Sequence, residues 1–264
     1  MNCGEDDSMI PKVIHYCWFG GNDIPDEFKK YMDSWKTWCP DYTIKRWDED
    51  NFDINICKYV KEAYEQKKWA FVSDYVRLYV LYNEGGVYVD TDVEILRNID
   101  EFLKHDAFSG FESSEFIPTG IMASKKEFPL FGELLKLYDD RSFLLKNGTM
   151  DLTTNCSIIT DFCMEKGLVL NCKKQNIMGF ELYPPEYFCP KNPNNGKMKM
   201  TENTYCIHHF AGSWLPRVDR TIIYLNKNGS FVCKILAIPF RFLRKMRNVG
   251  FLGTIRFVID KIRK

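Results

Sequence analysis

The stretch "SDYVRLYVLYNEGGVYVDTDVEI", residues Ser73 to Ile95, combines a helical pattern, a Gly-Gly turn and an apolar strand. Apolar side chains recur at helical spacing through its first part, which predicts a helix from Ala70 to Asn83. The two glycines end that helix. The apolar strand that follows carries two aspartates, Asp90 and Asp92. A helix that leads through a tight turn into a buried strand is typical of an α/β fold.

Strands and helices alternate along the remaining sequence. The patterns predict strands at "KVIHYCWFG", "YTIKRW", "AFSGFE" and "TGIMASK", and helices at "PDEFKKYMDSWKTWC", 129–140 and 152–166. This alternation indicates a layered α/β fold with a mostly parallel sheet. We expect a flexible N-terminus over residues 1–9, a single α/β domain over 10–232 and a basic amphipathic helical tail over 233–264.

The composition limits the class of protein. No run approaches the roughly 18 to 20 apolar residues of a membrane span, and the N-terminal "MNCGEDDSMIPK" is acidic where a secretory signal would be basic and then apolar. The ten cysteines form no CxxC pair, which argues against a zinc site or a disulfide framework. We therefore expect a cytosolic protein with reduced, mostly buried thiols.

Asp90 and Asp92 stand at the end of a predicted strand. Ligands of open parallel sheets bind outside the carboxyl ends of the strands. Two carboxylates in that position repel each other unless a cation or hydrogen bonds neutralise them. Proteins hold Mg²⁺ and Mn²⁺ with one or two carboxylates together with substrate phosphates. The two aspartates thus indicate a divalent cation site, with a solvated turn as the alternative.

Asp74 and Arg77 are three residues apart in the predicted helix, and are therefore neighbours on one face. As a surface ion pair they would be worth at most about 1 kcal/mol. Because the Gly-Gly turn joins the helix directly to the acidic strand, the C-terminal half of the helix is expected to lie close to the acidic strand end. There, a carboxylate beside a guanidinium is suited to bind sugar hydroxyls through charge-assisted hydrogen bonds.

The opening stretch resembles the sugar-binding region of glycosyltransferase family 32. That family is similar to initiating mannosyltransferases of yeast type, bacterial capsular polysaccharide glycosyltransferases and, distantly, glucosylating clostridial toxins. Its pattern of Asp-x-x-Arg, Leu-Tyr, Gly-Gly and DxD is present here. Two further segments, "IPKVIHYCWFGG" and "CIHHFAGSW", resemble the opening strand and the closing His-rich segment of the family. The resemblance covers roughly Ile10 to Trp214.

The resemblance implies a Rossmann-like fold of the GT-A type and a particular reaction. This is the metal-dependent, retaining transfer of a hexose from a UDP- or GDP-linked donor to a glycan or lipid-linked acceptor, in polysaccharide, capsule or glycolipid synthesis. The resemblance also implies Mn²⁺ or Mg²⁺ as the cofactor. Asp92 would hold the metal and His209 would complete its shell, with His208 as the rival for that role.

The resemblance implies further roles at the donor. Trp18 matches an aromatic residue that stacks on the nucleotide base, and is otherwise a core residue. The expected catalytic set is Asp74 and Arg77, which hold the donor sugar, Asp90 on the ribose or sugar side, and the metal ligand Asp92. The residues expected to bind the leaving diphosphate are Ser213 and Trp214.

The acceptor region departs from the family pattern. Many relatives have Thr-Gly-Pro there, whereas this chain has "TTNCS", Thr153 to Ser157. The identity of the acceptor therefore stays open. Asn155 is a candidate contact to the donor or to the acceptor.

The C-terminal segment from Pro239 to Lys264 is basic, with eight basic residues and one acidic residue. Because the whole chain has no net charge, the remainder carries −7 against +7 in this segment. One interpretation is a helix in the headgroup region of an anionic membrane, where each cationic residue contributes about 1 kcal/mol. The other is a terminal helix pair packed on the core with a solvated basic face. Nucleic-acid binding is disfavoured because the rest of the chain is acidic.

Two rival functions remain at this point. "VYVDTDV" also fits the first motif of haloacid-dehalogenase-like phosphatases, in which the first Asp is the nucleophile. Those enzymes usually place the motif on the first strand, whereas here it begins at residue 87. The second rival is a non-catalytic sugar-binding or membrane-binding protein with a decayed site.

Overall fold

The computed structural model describes residues 9–212, apart from 118 and 194, and the separate positions 218, 221, 222, 225, 236, 238 and 239. The chain divides into two compact units, residues 1–191 with 198–209, and residues 192–197 with 210–264. The expected N-terminal segment, except Met9, and the basic tail, except for three positions, lie outside the described residues. So do Ser213 and Trp214.

The first unit contains all the named helices and strands of the described residues. In chain order they are β1 (Val13–Cys17), α1 (Asp26–Trp38), β2 (Thr43–Trp47), α2 (Lys58–Glu65), α3 (Trp69–Asn83), β3 (Gly86–Val89), β4 (Val93–Ile95), a 3₁₀ turn (Asp100–Phe102), β5 (Ala107–Gly110), β6 (Ile121–Ser124), α4 (Pro129–Lys136), α5 (Asn155–Glu165), β7 (Gln175–Ile177), β8 (Phe180–Tyr183), α6 (Pro185–Phe188) and β9 (Cys206–His208). None of the helices within this described part is long and apolar enough to cross a membrane.

The central sheet has seven strands among the described residues, in the order β2-β1-β3-β6-β5-β8-β7. Strands β2, β1, β3, β5 and β8 run in one direction, while β6 and β7 run in the other. The predicted α/β fold with a mostly parallel sheet is therefore confirmed. Strands β4 and β9 form a separate antiparallel pair.

Helix α3 carries part of the site and is buried on most of its surface. It packs against α2, α4 and the strands β1 and β3. This environment explains why the polar Arg77 is buried together with the apolar residues of the helix. The helix ends at a glycine pair that has positive φ angles of 71° and 102°. A Cβ on Gly86 would lie 2.8 Å from the Val13 carbonyl oxygen, so this turn needs glycine for both conformation and space.

The acidic stretch after Gly86 is two strands and not the single predicted strand. Strand β3 ends at Val89, and the chain turns so that the Val93 N–H donates to the Asp90 carbonyl oxygen at 2.9 Å. Strand β4 begins after this turn. Asp90 and Asp92 therefore lie within a turn at the edge of the sheet, where they no longer alternate between its two faces.

Apolar clusters cover both faces of the sheet. Tyr88 belongs to the cluster that contains the α3 and α4 side chains, and its neighbours Val87 and Val89 belong to the cluster that contains Trp35 of α1. This alternation is that of a strand buried on both sides. Five of the eight described cysteines are buried.

The second unit is described over a few residues only. In its first segment the Gly196 N–H donates to the Asn192 carbonyl oxygen at 2.9 Å, and the Asn192 N–H donates to Lys197 at 2.8 Å. These two hydrogen bonds form a compact turn.

Candidate active site

Three metal-ligating side chains meet where β3 ends. Ligand atoms of Asp90, Asp92 and His208 all lie within 4.8 Å of one another. The Asp90 N–H donates to the Gly120 carbonyl oxygen at 2.8 Å, which fixes the start of the turn against the loop before β6. Because His208 pairs with Val93 across β4 and β9, its imidazole lies beside Asp92, with Nε2 3.3 Å from Oδ1.

The chemistry of this cluster suits a divalent cation. Two carboxylates and an imidazole form a ligand set compatible with Mn²⁺ or Mg²⁺, and three protein ligands leave positions for phosphate oxygens. Burial lowers the pKa of His208, but the Asp92 carboxylate and Cys189 outweigh burial, so the pKa is raised well above the ordinary value. A cation would coordinate the neutral imidazole of His208.

His209 lies outside this cluster. Its Nε2 is 2.9 Å from Glu94 Oε2, and its ring stacks on Tyr31 at a centroid distance of 4.1 Å. The backbone N–H of His209 donates to the Asp92 carbonyl oxygen at 2.9 Å. Of the two histidines considered from the sequence, the structure thus brings His208 next to Asp90 and Asp92, and directs the His209 side chain to Glu94.

Arg77 connects the helix with the acidic turn. Its Nη2 lies 3.2 Å from Asp74 Oδ1 and 3.3 Å from Asp90 Oδ1, and its Nη1 donates to the Thr119 carbonyl oxygen at 2.6 Å. The guanidinium lies over the Tyr88 ring at 4.7 Å. Since the Arg77 side chain is only 5% exposed, the alternative of a surface ion pair is wrong.

Asp74 is held from a second side by α5. The Asn155 N–H donates to Asp74 Oδ2 at 3.2 Å, and the Asn155 side-chain amide donates to the Asp74 carbonyl oxygen at 2.9 Å. The Asn155 Oδ1 accepts from the Tyr138 hydroxyl at 3.3 Å. Burial raises the pKa of Asp74 to about 6, although Arg77 opposes this shift. Asn155, considered from sequence as a substrate contact, thus positions Asp74.

Trp18 follows β1 at the carboxyl edge of the sheet and is half-buried. Its indole N–H donates to the Asn22 carbonyl oxygen at 2.6 Å, and its ring meets the edge of Phe28 at a centroid distance of 6.0 Å. Stacking of a nucleotide base on this ring stays a prediction.

Sequence reasoning missed two residues that shape the site. A Cβ on Gly120 would lie 2.8 Å from His208 Nδ1, so only glycine leaves room for the imidazole. The Thr119 carbonyl oxygen accepts from Arg77. Both residues lie in "TGIMASK", whose apolar pattern predicted β6 but gave no signal of a nearby histidine.

Comparison with known proteins finds similarity to glycosyltransferases in the segment that carries Asp74, Arg77, Asp90 and Asp92. Residues 25–109 match a family described as a glycosyltransferase sugar-binding region containing a DXD motif. The chain is 26% identical over 239 residues to the uncharacterized glycosyltransferase L373 of Acanthamoeba polyphaga mimivirus, covering 85% of this chain and 92% of that protein. It is 27% identical over 137 residues to inositol phosphoceramide mannosyltransferase 3 of Schizosaccharomyces pombe, covering 49% and 37% of the two chains.

Among solved structures, the PaToxG glycosyltransferase is 16% identical with a TM-score of 0.45, over 61% of this chain and 71% of that chain. Of the two curated relatives, the chain spans nearly all of the viral protein but little more than a third of the fission yeast protein. The motif match and the viral relative support the glycosyltransferase predicted from the sequence, and residues 25–109 are similar to a glycosyltransferase sugar-binding region that contains a DXD motif.

Proposed function

We propose that the protein transfers a hexose from a UDP- or GDP-linked donor to a hydroxyl group of a glycan or lipid-linked acceptor, with Mn²⁺ or Mg²⁺ as cofactor. The observation that carries this proposal is the meeting of Asp90, Asp92 and His208 within 4.8 Å. Asp90 is also paired with Arg77. Both aspartates lie within residues 25–109, which match a sugar-binding region described as containing a DXD motif.

Asp90, Asp92 and His208 would hold the cation in this proposal. When bound, the cation supplies positive charge that stabilises the leaving diphosphate without moving a proton. Asp92 is well placed for this role because hydrogen bonds fix its backbone. The turn that contains it is closed by the Val93 N–H, which donates to the Asp90 carbonyl oxygen, and the His209 N–H donates to the Asp92 carbonyl oxygen. Ser213 and Trp214 stay proposed contacts of the diphosphate on the strength of the sequence alone.

The donor sugar would be bound by the carboxylates that Arg77 orients. The Arg77 N–H groups are directed to Ser73, Asp74, Asp90 and Thr119. The side chains of Asp74 and Asp90 keep 13% and 23% of their surface exposed. We therefore assign hydroxyl binding to these two carboxylates, and to Arg77 the role of a positioning residue. Trp18 would stack on the nucleotide base.

The acceptor class is inferred from the relatives. The fission yeast protein is named an inositol phosphoceramide mannosyltransferase, which favours a hydroxyl-bearing lipid or glycan as the acceptor here. The same proposal includes retention of configuration at the transferred sugar and a role in capsule, polysaccharide or glycolipid synthesis. It also includes cytoplasmic localisation, with contact at the inner face of the membrane. They rest on the sequence alone.

The rival functions fit the site less well. In the phosphatase interpretation the first Asp would act as a nucleophile. Asp90 instead accepts from Tyr88 at 3.0 Å and is paired with Arg77, both of which hold it in place. A non-catalytic protein would bind a nucleotide sugar without releasing the nucleotide, and turnover of any donor excludes it.

The test is turnover of a donor panel. The purified protein is incubated with UDP- and GDP-hexoses and Mn²⁺, and release of the nucleotide is measured with and without EDTA. We expect one donor to turn over, EDTA to stop the reaction and Asp92→Asn to lower the rate by about 10² to 10³. The control Asp33→Asn alters an exposed carboxylate and should keep the wild-type rate. The proposal fails if the wild type turns over no donor, or if EDTA has no effect.

A further inference from the structure

Glu112 lies at the same sheet edge as the metal-ligating cluster, on a different strand. Strands β3 and β5 both pair antiparallel with β6 and therefore run parallel to each other. Their carboxyl ends meet at one edge, where β3 leads into Asp90 and β5 leads, after Gly110, into Phe111 and Glu112. The buried Phe111 anchors this connection.

The Glu112 carboxylate lies near enough to the cluster to interact with it electrostatically. Burial raises the pKa of Glu112, the nearby His208 opposes this, and Asp90 adds to it, so the carboxylate is within electrostatic reach of both. The charge of Glu112 also contributes to raising the pKa of Cys156, in the first turn of α5, and that of Cys189.

The Glu112 carboxylate makes no hydrogen bond or ion pair with any residue that the structure describes. Its backbone is nevertheless fixed, since the Glu112 N–H donates to the Phe116 carbonyl oxygen at 2.9 Å. The other carboxylates of the site have protein partners: Asp74 and Asp90 pair with Arg77, and Glu94 pairs with His209. A partly buried carboxylate without a protein donor is incompletely compensated, so a ligand that donates a hydrogen bond would be favoured at this position.

The chemistry of the site narrows the class of that ligand. A diphosphate is anionic and accepts hydrogen bonds, so a carboxylate would repel it. The donor sugar already has the carboxylates of Asp74 and Asp90 in the proposed function. A neutral hydroxyl group supplies the missing hydrogen bond without bringing a second negative charge.

We propose that Glu112 binds the acceptor hydroxyl group that attacks the donor sugar. The hydroxyl oxygen bonds to the anomeric carbon as the bond from that carbon to the diphosphate breaks, and the departing nucleoside diphosphate takes the hydroxyl proton. This inference rests on the proposed function, because it takes the donor to lie at the cluster of Asp90, Asp92 and His208. Water occupies the same position when the enzyme hydrolyses its donor. Loss of the Glu112 carboxylate should therefore slow hydrolysis while the donor and the cation still bind.

The test compares Glu112→Gln with Glu115→Gln, a control on the same turn whose side chain is exposed. Calorimetry measures binding of the nucleotide with Mn²⁺, and a nucleotide-release assay measures hydrolysis of the donor that the wild type turns over. We expect Glu112→Gln to bind nucleotide within twofold of the wild type and to hydrolyse the donor at least about tenfold more slowly. We expect Glu115→Gln to match the wild type in both assays.

A second variant separates a chemical role from a structural one. In Glu112→Ala, added formate should restore part of the hydrolysis rate, because a small carboxylate can enter the vacated space. Unchanged hydrolysis in Glu112→Gln, or no rescue by formate, would overturn the inference. Loss of Mn²⁺-dependent nucleotide binding in Glu112→Gln would also overturn it, by making Glu112 a cation or donor ligand. If the wild type turns over no donor, the proposed function itself fails.

Discussion

Arg77 on helix α3 and Asp90 at the end of strand β3 form a two-point contact. Arg77 Nη1 lies 3.4 Å from Asp90 Oδ2, and Nη2 lies 3.3 Å from Asp90 Oδ1. The same guanidinium holds Asp74 and the Thr119 carbonyl oxygen. The buried Arg77 guanidinium therefore joins helix α3, the acidic turn and the loop before β6, and it orients the carboxylates of Asp74 and Asp90.

Replacing Arg77 with Lys should destabilise the protein and abolish donor turnover. A lysine ammonium is a single point of contact, so it cannot serve two carboxylates and a carbonyl oxygen together. We expect the free energy of unfolding to fall by about 3 kcal/mol or more, in line with the breaking of a buried ion pair. Urea unfolding measures this. Arg97→Lys alters an exposed arginine and should change the free energy by less than about 0.5 kcal/mol. Equal losses in the two variants would contradict the role of Arg77.

Asp74 should make stability depend on pH in a direction opposite to that of most carboxyl groups. Its pKa is raised by burial from 3.8 to about 6 in the folded protein, so the folded state binds the proton more tightly than the unfolded state. The stabilisation that comes from protonated Asp74 is complete below the unfolded-state pKa of 3.8, and it is lost as pH rises through the folded-state pKa of about 6.

Comparison with Asp74→Asn isolates this contribution. The variant lacks the titrating group, so its stability relative to the wild type should improve as pH rises from 4 to 7. Urea unfolding at several pH values measures the difference, with the exposed Asp140→Asn as control. A relative stability that is flat with pH, or that worsens for Asp74→Asn, would show that the Asp74 pKa is not raised.

His15 should contribute pH dependence of the opposite sign. Its Nδ1 accepts from the Trp47 indole N–H at 3.0 Å, and its Nε2 is 2.8 Å from the Gly85 carbonyl oxygen, so the neutral ring with the proton on Nε2 satisfies both contacts. Burial lowers the pKa of His15 below 6.5. Its stabilisation is present above the unfolded pKa and is lost as pH falls below 6.5 toward the folded value.

A His15→Gln variant tests this contribution. It should be less stable than the wild type at pH 8, and its deficit should shrink as pH falls below 6.5. Chemical denaturation between pH 5 and 8 measures the deficit. A deficit that grows toward low pH would mean that the buried ring is protonated.

Gly120→Ala tests the cation cluster without removing a ligand. The added methyl group would lie 2.8 Å from His208 Nδ1 and 3.0 Å from its Cε1, so the imidazole must move away from Asp92. We expect Mn²⁺-dependent nucleotide binding to weaken by at least about tenfold, as for losses that misorient a metal ligand. Calorimetry measures the affinity. Gly132→Ala, whose added methyl group would instead crowd the Tyr82 ring at 2.7 Å, is the matched control and should leave the affinity unchanged. Unaltered affinity in Gly120→Ala would argue against His208 as a ligand.

The sequence predicted the elements whose signals are local. Helix α3, its terminal glycines and the strands β1 and β2 follow from periodicity and turn residues within short windows. The helix α2 and the strands β7 and β8 were missed because their short segments carry weak patterns. The break between β3 and β4 was missed because the apolar run continues through it in the sequence.

The site depends on contacts between distant parts of the chain, and the sequence does not encode these locally. The choice between His208 and His209 follows from the pairing of Val93 with His208, since a shift by one residue would exchange the two side chains. The position of Glu112 at the same sheet edge as Asp90 follows from the antiparallel strand β6 between β3 and β5. Local patterns fix neither relationship.

Calorimetric titration of the protein with UDP and GDP, in Mn²⁺ and in EDTA, tests the central claim most directly. The cluster of Asp90, Asp92 and His208 predicts that a nucleoside diphosphate binds in Mn²⁺ and not in EDTA. It also predicts that His208→Asn weakens this binding by at least about tenfold while His209→Asn has a smaller effect. Binding that is equally strong in EDTA, or that is lost in His209→Asn and retained in His208→Asn, would contradict it.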